Sequence, residues 1–229
     1  MMITNIMLFV GLTWALGGLA LVLHNLSPRF GFSPLVLLVG VLIAFLGNQY
    51  GIYVEPVEGF ILFIGSNLLV PVLLMIVLVV YIANGAVAAR MSIYGILAMN
   101  VFVLVIQSIY REIILLPGGG SLSGLGVDTL FPVPILRTTV ASMVAFVADM
   151  FVIAVFYQGM KNNFAKVPEW AAVGLALLAS LWTDAILFRF IADLGANDFI
   201  ELMPGDVLGK TVSAFILWPV AAYYLSSIA

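Results

Sequence analysis

Long apolar runs, broken by short clusters of Pro, Gly and charged residues, recur along almost the whole chain. Each run approaches the roughly 20 residues that an α-helix needs to cross a bilayer. None alternates at period two, so helices are expected and a barrel is not. Seven spans follow, at about 3 to 24, 33 to 48, 60 to 84, 91 to 110, 138 to 160, 169 to 193 and 207 to 228. The second is short, but it extends through Gln49 to Tyr53. The predicted architecture is an all-α, polytopic membrane bundle, since hydrocarbon offers no partner to open backbone groups.

Composition strengthens this reading. Of 229 residues 64% are hydrophobic and 8% charged, and the mean hydropathy is +1.24. Soluble domains are usually about 45–50% apolar. The absence of cysteine excludes disulfides, thiolate metal sites and thiol catalysis. Residues 1 to 24 carry neither a basic leader nor a small-residue cleavage pattern, so they read as a retained helix. A net charge of −3 points to no particular partner, and no nucleic acid is expected.

Charges between the spans orient the bundle. Arg29, Arg90, Lys161 and Lys166 follow spans 1, 3 and 5, whereas Glu55, Glu58, Asp198, Glu201 and Asp206 follow spans 2 and 6. By the positive-inside rule the amino terminus is expected outside and the carboxy terminus inside; the expected location is the cytoplasmic membrane of a bacterium or archaeon. The stretch from 111 to 137, with PGGGSLSGLG and FPVP, reads as an interfacial loop or a lid.

Within the spans, ionisable residues are rare. Even the lenient scale charges about 2.5–3.5 kcal/mol for an ion at the helix centre, so such residues are candidates for function. Asp149 falls near the midplane of span 5, Asp184 and Arg189 in the outer half of span 6, and Lys210 near the outer end of span 7. They would line a cavity reached from outside. The competing reading is a structural lock in which Lys210 or Arg189 neutralises a carboxylate; either cation alone would also snorkel to the headgroups. Phe156 lies seven residues from Asp149 and Phe188 four from Asp184, each on the same helical face as its acid. With Trp182 they would supply stacking walls for a flat solute, although packing or lipid contact is the usual role of such rings. Asn67 and Asn100 would extend the site or bond between helices.

The stretches R137-TTVASMVAFVAD149-MFVIAVF156, S180-LWTD184-AILF188 and D206-VLGK210-TVSAFILWP219 resemble the last three helices of the vitamin-uptake-transporter family, also called queuosine precursor transporters. VVYIANG85-AVAAR90 is similar to that family's third-span ending. The resemblance implies a six-helix core at 31–229, an added helix at 1–30, and import of a 7-deazaguanine by a carrier without its own ATPase. Asp149, Asp184 and Lys210 would be the family's polar residues. Val80, Tyr81 and Asn84 stand where the family usually has an acid, and Ser180, Leu181 and Trp182 where it often has an Asn.

Other chemistries find little support. No phosphate-binding Gly-rich loop occurs. His24, the sole histidine, sits at a helix end, where solvation or capping is expected. A metal site, a cofactor and enzymatic activity are not expected; an aspartyl pair lacks a catalytic motif, and D206-VLGK210 resembles a retinal-binding helix only in its spacing. Two readings stay open: a transporter of a small planar solute, with Pro71 and Pro219 as helix breaks, or a ligand sensor acting through a partner protein. A seam of Gly11, Gly17 and Gly18 on span 1 would permit close helix contact, as in a homodimer.

Overall fold

The computed structural model describes residues 2–48, 53–57, 60–63, 65–117, 135–164, 167–192 and 199–228. The chain runs through α1 (Met2–Asn25), a single turn α2 (Ser27–Phe30) and α3 (Ser33–Asn48). A small antiparallel hairpin follows, β1 (Tyr53–Val57) and β2 (Phe60–Phe63), with Tyr53 opposite Phe63. After a π-helical turn (Gly65–Leu69) come α4 (Val70–Leu115), α5 (Ile135–Asn163), α6 (Glu169–Ala192) and α7 (Phe199–Ile228). The helical membrane bundle expected from the apolar pattern is therefore present, with the hairpin as an addition.

Five described segments are long and apolar enough to span a bilayer: Ile6–Asn25, Gly65–Leu115, Arg137–Asn163, Glu169–Ala192 and Leu202–Ile228. Ser33–Leu46 is apolar but shorter. Predicted spans 3 and 4 fall in one helical run, because α4 is interrupted at a single residue, Gly85 (φ 85, ψ 175). That backbone region is open only to glycine. The loop expected between those two spans is reduced to this one residue.

Three boundaries differ from the sequence reading. Residues 60 to 63 of predicted span 3 form β2. Pro71, expected to break a helix near the midplane, instead sits in the first turn of α4, where a missing N–H costs nothing. The irregular backbone is the π-helical turn immediately before it. At the other end of the chain, α7 begins at Phe199 and not near 207, with Pro204 and Pro219 both inside it. Lys210 thereby lies about 16 Å into its helix and not near its end. Residues 118–134, and with them the lid or interfacial loop, lie outside the described residues.

The first half of α4 is the axis of the bundle. Every residue from Asn67 to Val80 is buried, so this segment is apolar on all faces and lacks a polar stripe. Around it, α5, α6 and α7 close through small side chains: Ala141, Ala145, Ala172, Ala176, Ala214 and Ala221 are all at most 2% exposed. Without a hydrophobic force between helices in lipid, such residues allow the close van der Waals contact that holds them. Gly174 carries this furthest, since a Cβ there would stand 1.9 Å from the Trp218 ring. Trp218 lies across it, stacked on Trp170 at 5.7 Å and donating to the Trp170 carbonyl at 2.5 Å.

Helix α1 is packed into the same core. Gly17 faces Leu217 and Met75, whereas Gly11 and Gly18 face open space. One member of the small-residue seam thus serves contact within the chain. His24 is buried and not solvated: Nδ1 lies 2.6 Å from the Tyr224 hydroxyl and Nε2 2.7 Å from Asn84 Oδ1. The ring therefore bridges the ends of α1 and α7 to the residue preceding the Gly85 break.

Candidate functional site

A polar cluster occupies the interior where α5, α6, α7 and the π-helical turn meet. Asn67, Asp149, Ser180, Asp184, Arg189, Asp206, Lys210 and Ser213 are all buried there, none more than 6% exposed. Helical spacing explains why α6 and α7 contribute several each. Ser180 and Asp184 are one turn apart on α6, and Asp206, Lys210 and Ser213 follow one another down one face of α7.

One half of the cluster is fully paired. Arg189 Nε donates to Asp206 Oδ2 at 2.5 Å, with both side chains buried. With its amide nitrogen toward Asp206, Asn67 donates to Oδ1 at 3.1 Å and to the Asp206 carbonyl at 3.2 Å, while its oxygen accepts from Phe63 N at 3.0 Å. The Arg189 guanidinium also lies 4.6 Å from the Phe63 ring centre and 5.7 Å from that of Phe188. Ser213 donates to the Asn67 carbonyl, tying α7 to the π-helical turn. Every strong group of Asp206 thus has a partner, as a buried carboxylate requires.

The other half is under-satisfied. Lys210 Nζ lies 2.6 Å from Asp184 Oδ2 and 6.0 Å from the Phe188 ring centre. Asp149 lies close enough to interact with both Asp184 and Lys210. Yet neither Asp149 oxygen meets an N–H or O–H donor, its carboxyl facing that of Asp184, and Ser180 Oγ has no partner; Lys210 Nζ, although close to Asp184, makes no well-directed hydrogen bond. Unpaired buried oxygens are uncommon in native proteins, and each one calls for a cause such as a missing ligand.

Of the residues singled out from sequence, Asn67, Asp149, Asp184, Phe188, Arg189 and Lys210 come together in this cluster. Arg189 and Lys210 do not snorkel; both are buried against carboxylates. Phe156 (48% exposed) and Trp182 (45% exposed) face outward, so they do not supply the expected stacking walls. Phe156 shares the face of Asp149 but lies about 10 Å along the axis, and Trp182 is about 200° around the helix from Asp184. The Trp182 indole donates to Thr211 at 2.9 Å. Asn100 bonds within its own helix, to the Ile96 carbonyl at 3.0 Å.

Asp206 is the member that sequence reading assigned to a connection. Its signal was its position four residues before Lys210 in an otherwise apolar stretch. Ser180 stood out only as one of the residues at a position where the resembled family often has an Asn, and Ser213 carried no signal, because serine is common in membrane helices.

A family model described as vitamin uptake-like sensor matches residues 18–225. The chain belongs to this family. No curated protein matches it, and no solved structure does. As a vitamin uptake-like sensor with several membrane-spanning helices, the protein is a membrane module concerned with uptake or sensing. The match takes in the whole buried cluster and begins inside α1, so the last third of that helix, with His24 but not Gly17, lies within the vitamin uptake-like sensor region.

Proposed function

We propose that the protein binds a small planar solute inside the bilayer through Asp149, with Asp184, Lys210 and Ser180 completing the contact, and that occupancy is sensed and passed to a partner protein. The observation carrying this reading is the pair of buried Asp149 oxygens without a donor, beside an equally unpartnered Ser180 hydroxyl. A solute with two adjacent N–H groups would satisfy the carboxylate, and the ammonium of Lys210 would meet a carbonyl. The paired Asp206 and Arg189 have a different role, holding α6 to α7 beneath the site. The family's description supports sensing. The likeness of the last three helices to queuosine precursor transporters supports a 7-deazaguanine as the solute.

Import is the second reading, favoured by the two backbone breaks that flank the first half of α4, the π-helical turn and Gly85. Broken helices beside a midplane site are what alternating access uses. Counterflow in proteoliposomes with a radiolabelled 7-deazaguanine separates the two. Saturable binding without exchange is the expected result for a sensor, and exchange would assign a carrier. Asp149→Asn should reach the membrane normally and lose binding; undiminished binding by that variant would remove Asp149 from recognition.

A further inference from the structure

Two buried acids face each other across the junction of α5 and α6. The Asp149 carboxyl is set against that of Asp184, and neither of its oxygens meets an N–H or O–H donor. Asp149 is 0% exposed and Asp184 4%. Two carboxyl groups in contact away from solvent cannot both ionise, and such a pair holds a proton between them. Lys210 decides where that proton sits. Its ammonium lies 2.6 Å from Asp184 Oδ2, which keeps the charge on Asp184 and the hydrogen on Asp149, donated across to Asp184. The charged side chains close enough to act on Asp149 are Asp184 from α6 and Lys210 from α7. Arg189 and Asp206 are engaged with each other, and the buried first half of α4, from Val70 to Val80, brings no ionisable group.

We infer that the solute site is also a proton site: the Asp149–Asp184 pair holds one proton, and that proton competes with the N–H groups of the solute for Asp149. The inference rests on the binding reading above and adds a linked ion to it. Both ligands offer hydrogen to the same oxygens, and a hydrogen bond to an ionised carboxylate is roughly twice as strong as one to its neutral form. On binding, the Asp149 O–H bond breaks, its proton passes to water in the opened site and on to bulk, and the solute N–H groups take its place. Import would then exchange a proton for each solute, and sensing would report solute relative to protons.

Two measurements on the full chain in detergent test it. Infrared difference spectroscopy of the empty protein reads the proton without any solute. The wild type should show the C=O stretch of a buried carboxylic acid, shifted by heavy-carbon labelling of the aspartate carboxyls and missing from Asp149→Asn. Absence of the band from the wild type, or its persistence in that variant, overturns the inference. The labelled wild type gives an answer even if Asp149→Asn fails to fold.

Calorimetry of 7-deazaguanine binding, in buffers of different ionisation enthalpy, reads the competition. About one proton should be released per solute, and affinity should rise about ten-fold per pH unit until the empty pair is itself ionised, then level off. The same slope is expected in His24→Asn, which removes the only imidazole in the chain; its loss there would move the linkage to the histidine and overturn the inference. Binding without proton release, or affinity that falls as pH rises, overturns it too. If the acid band is present and 7-deazaguanine binds at no pH, the proton site stands, and the binding reading fails together with the competition that depends on it.

Discussion

Lys210 Nζ lies 2.6 Å from Asp184 Oδ2 in the interior of the bundle, joining α7 to α6 with both side chains buried. Removing one partner of a buried ion pair leaves the other uncompensated, at a cost of about 3–5 kcal/mol. Lys210→Met should therefore unfold at a markedly lower temperature than the wild type. Adding Asp184→Asn should recover much of the loss, since the orphaned carboxylate is then gone. Thermal unfolding of the two singles and the double checks this; a double variant no better than Lys210→Met would mean that the pair is not the source.

Arg189 has both a charge role and a flat one. Its guanidinium pairs with Asp206 and lies over Phe63 at 4.6 Å, a combination an ammonium cannot reproduce. Arg189→Lys should cost about 1–2 kcal/mol through the lost ring contact and fork geometry, less than Arg189→Ala. If ligand affinity per folded molecule stays at the wild-type value in Arg189→Lys, the pair is structural; a large loss of affinity would place Arg189 in recognition.

The contact of Trp218 with Gly174 leaves no room for a methyl group, because the atoms in the way belong to a rigid ring held by stacking on Trp170. Gly174→Ala should destabilise by about 1–3 kcal/mol, as overpacking does, and should shift the fluorescence of the stacked tryptophans. Gly17→Ala meets only the tip of Leu217, at 2.7 Å, which can turn aside. It should be milder, and the opposite ranking would contradict this packing.

Gly85 is the single residue on which the two halves of α4 change direction. Alanine there would have to hold a backbone conformation costing of order 1–3 kcal/mol. Gly85→Ala should lower Tm and, if import is the function, slow exchange more than it weakens binding. Wild-type stability in that variant would mean that the break relaxes into continuous helix.

His24 makes a polar bridge between three helical segments, through Tyr224 and Asn84. His24→Ala leaves two partners unsatisfied and should cost about 1–3 kcal/mol, while Tyr224→Phe, which removes one hydroxyl, should cost about 0.5–1.5 kcal/mol. Equal losses in both would place the weight on Tyr224 and not on the ring.

The membrane class, the helical bundle and the approximate span positions were legible in the order of residues, because hydropathy over a 20-residue window is a local property that bilayer thickness converts into an element. The rarity of Asp149, Asp184, Arg189 and Lys210 within apolar stretches was equally visible. Pairing was not. Whether Lys210 meets Asp184 or Asp206, whether Phe156 reaches Asp149, and whether Asp206 lies in a connection or in the core all depend on helix rotation and depth. Those are set by contacts between segments far apart in sequence, such as the small-residue seams of α5, α6 and α7. The extra turns at the start of α7 moved Asp206 inside and Lys210 deeper, and the single-residue break at Gly85 merged two predicted spans. Sequence thus determined which residues would be costly to bury; tertiary packing alone decided which of them neutralise one another and set the Asp149 carboxyl against Asp184 with no N–H or O–H donor.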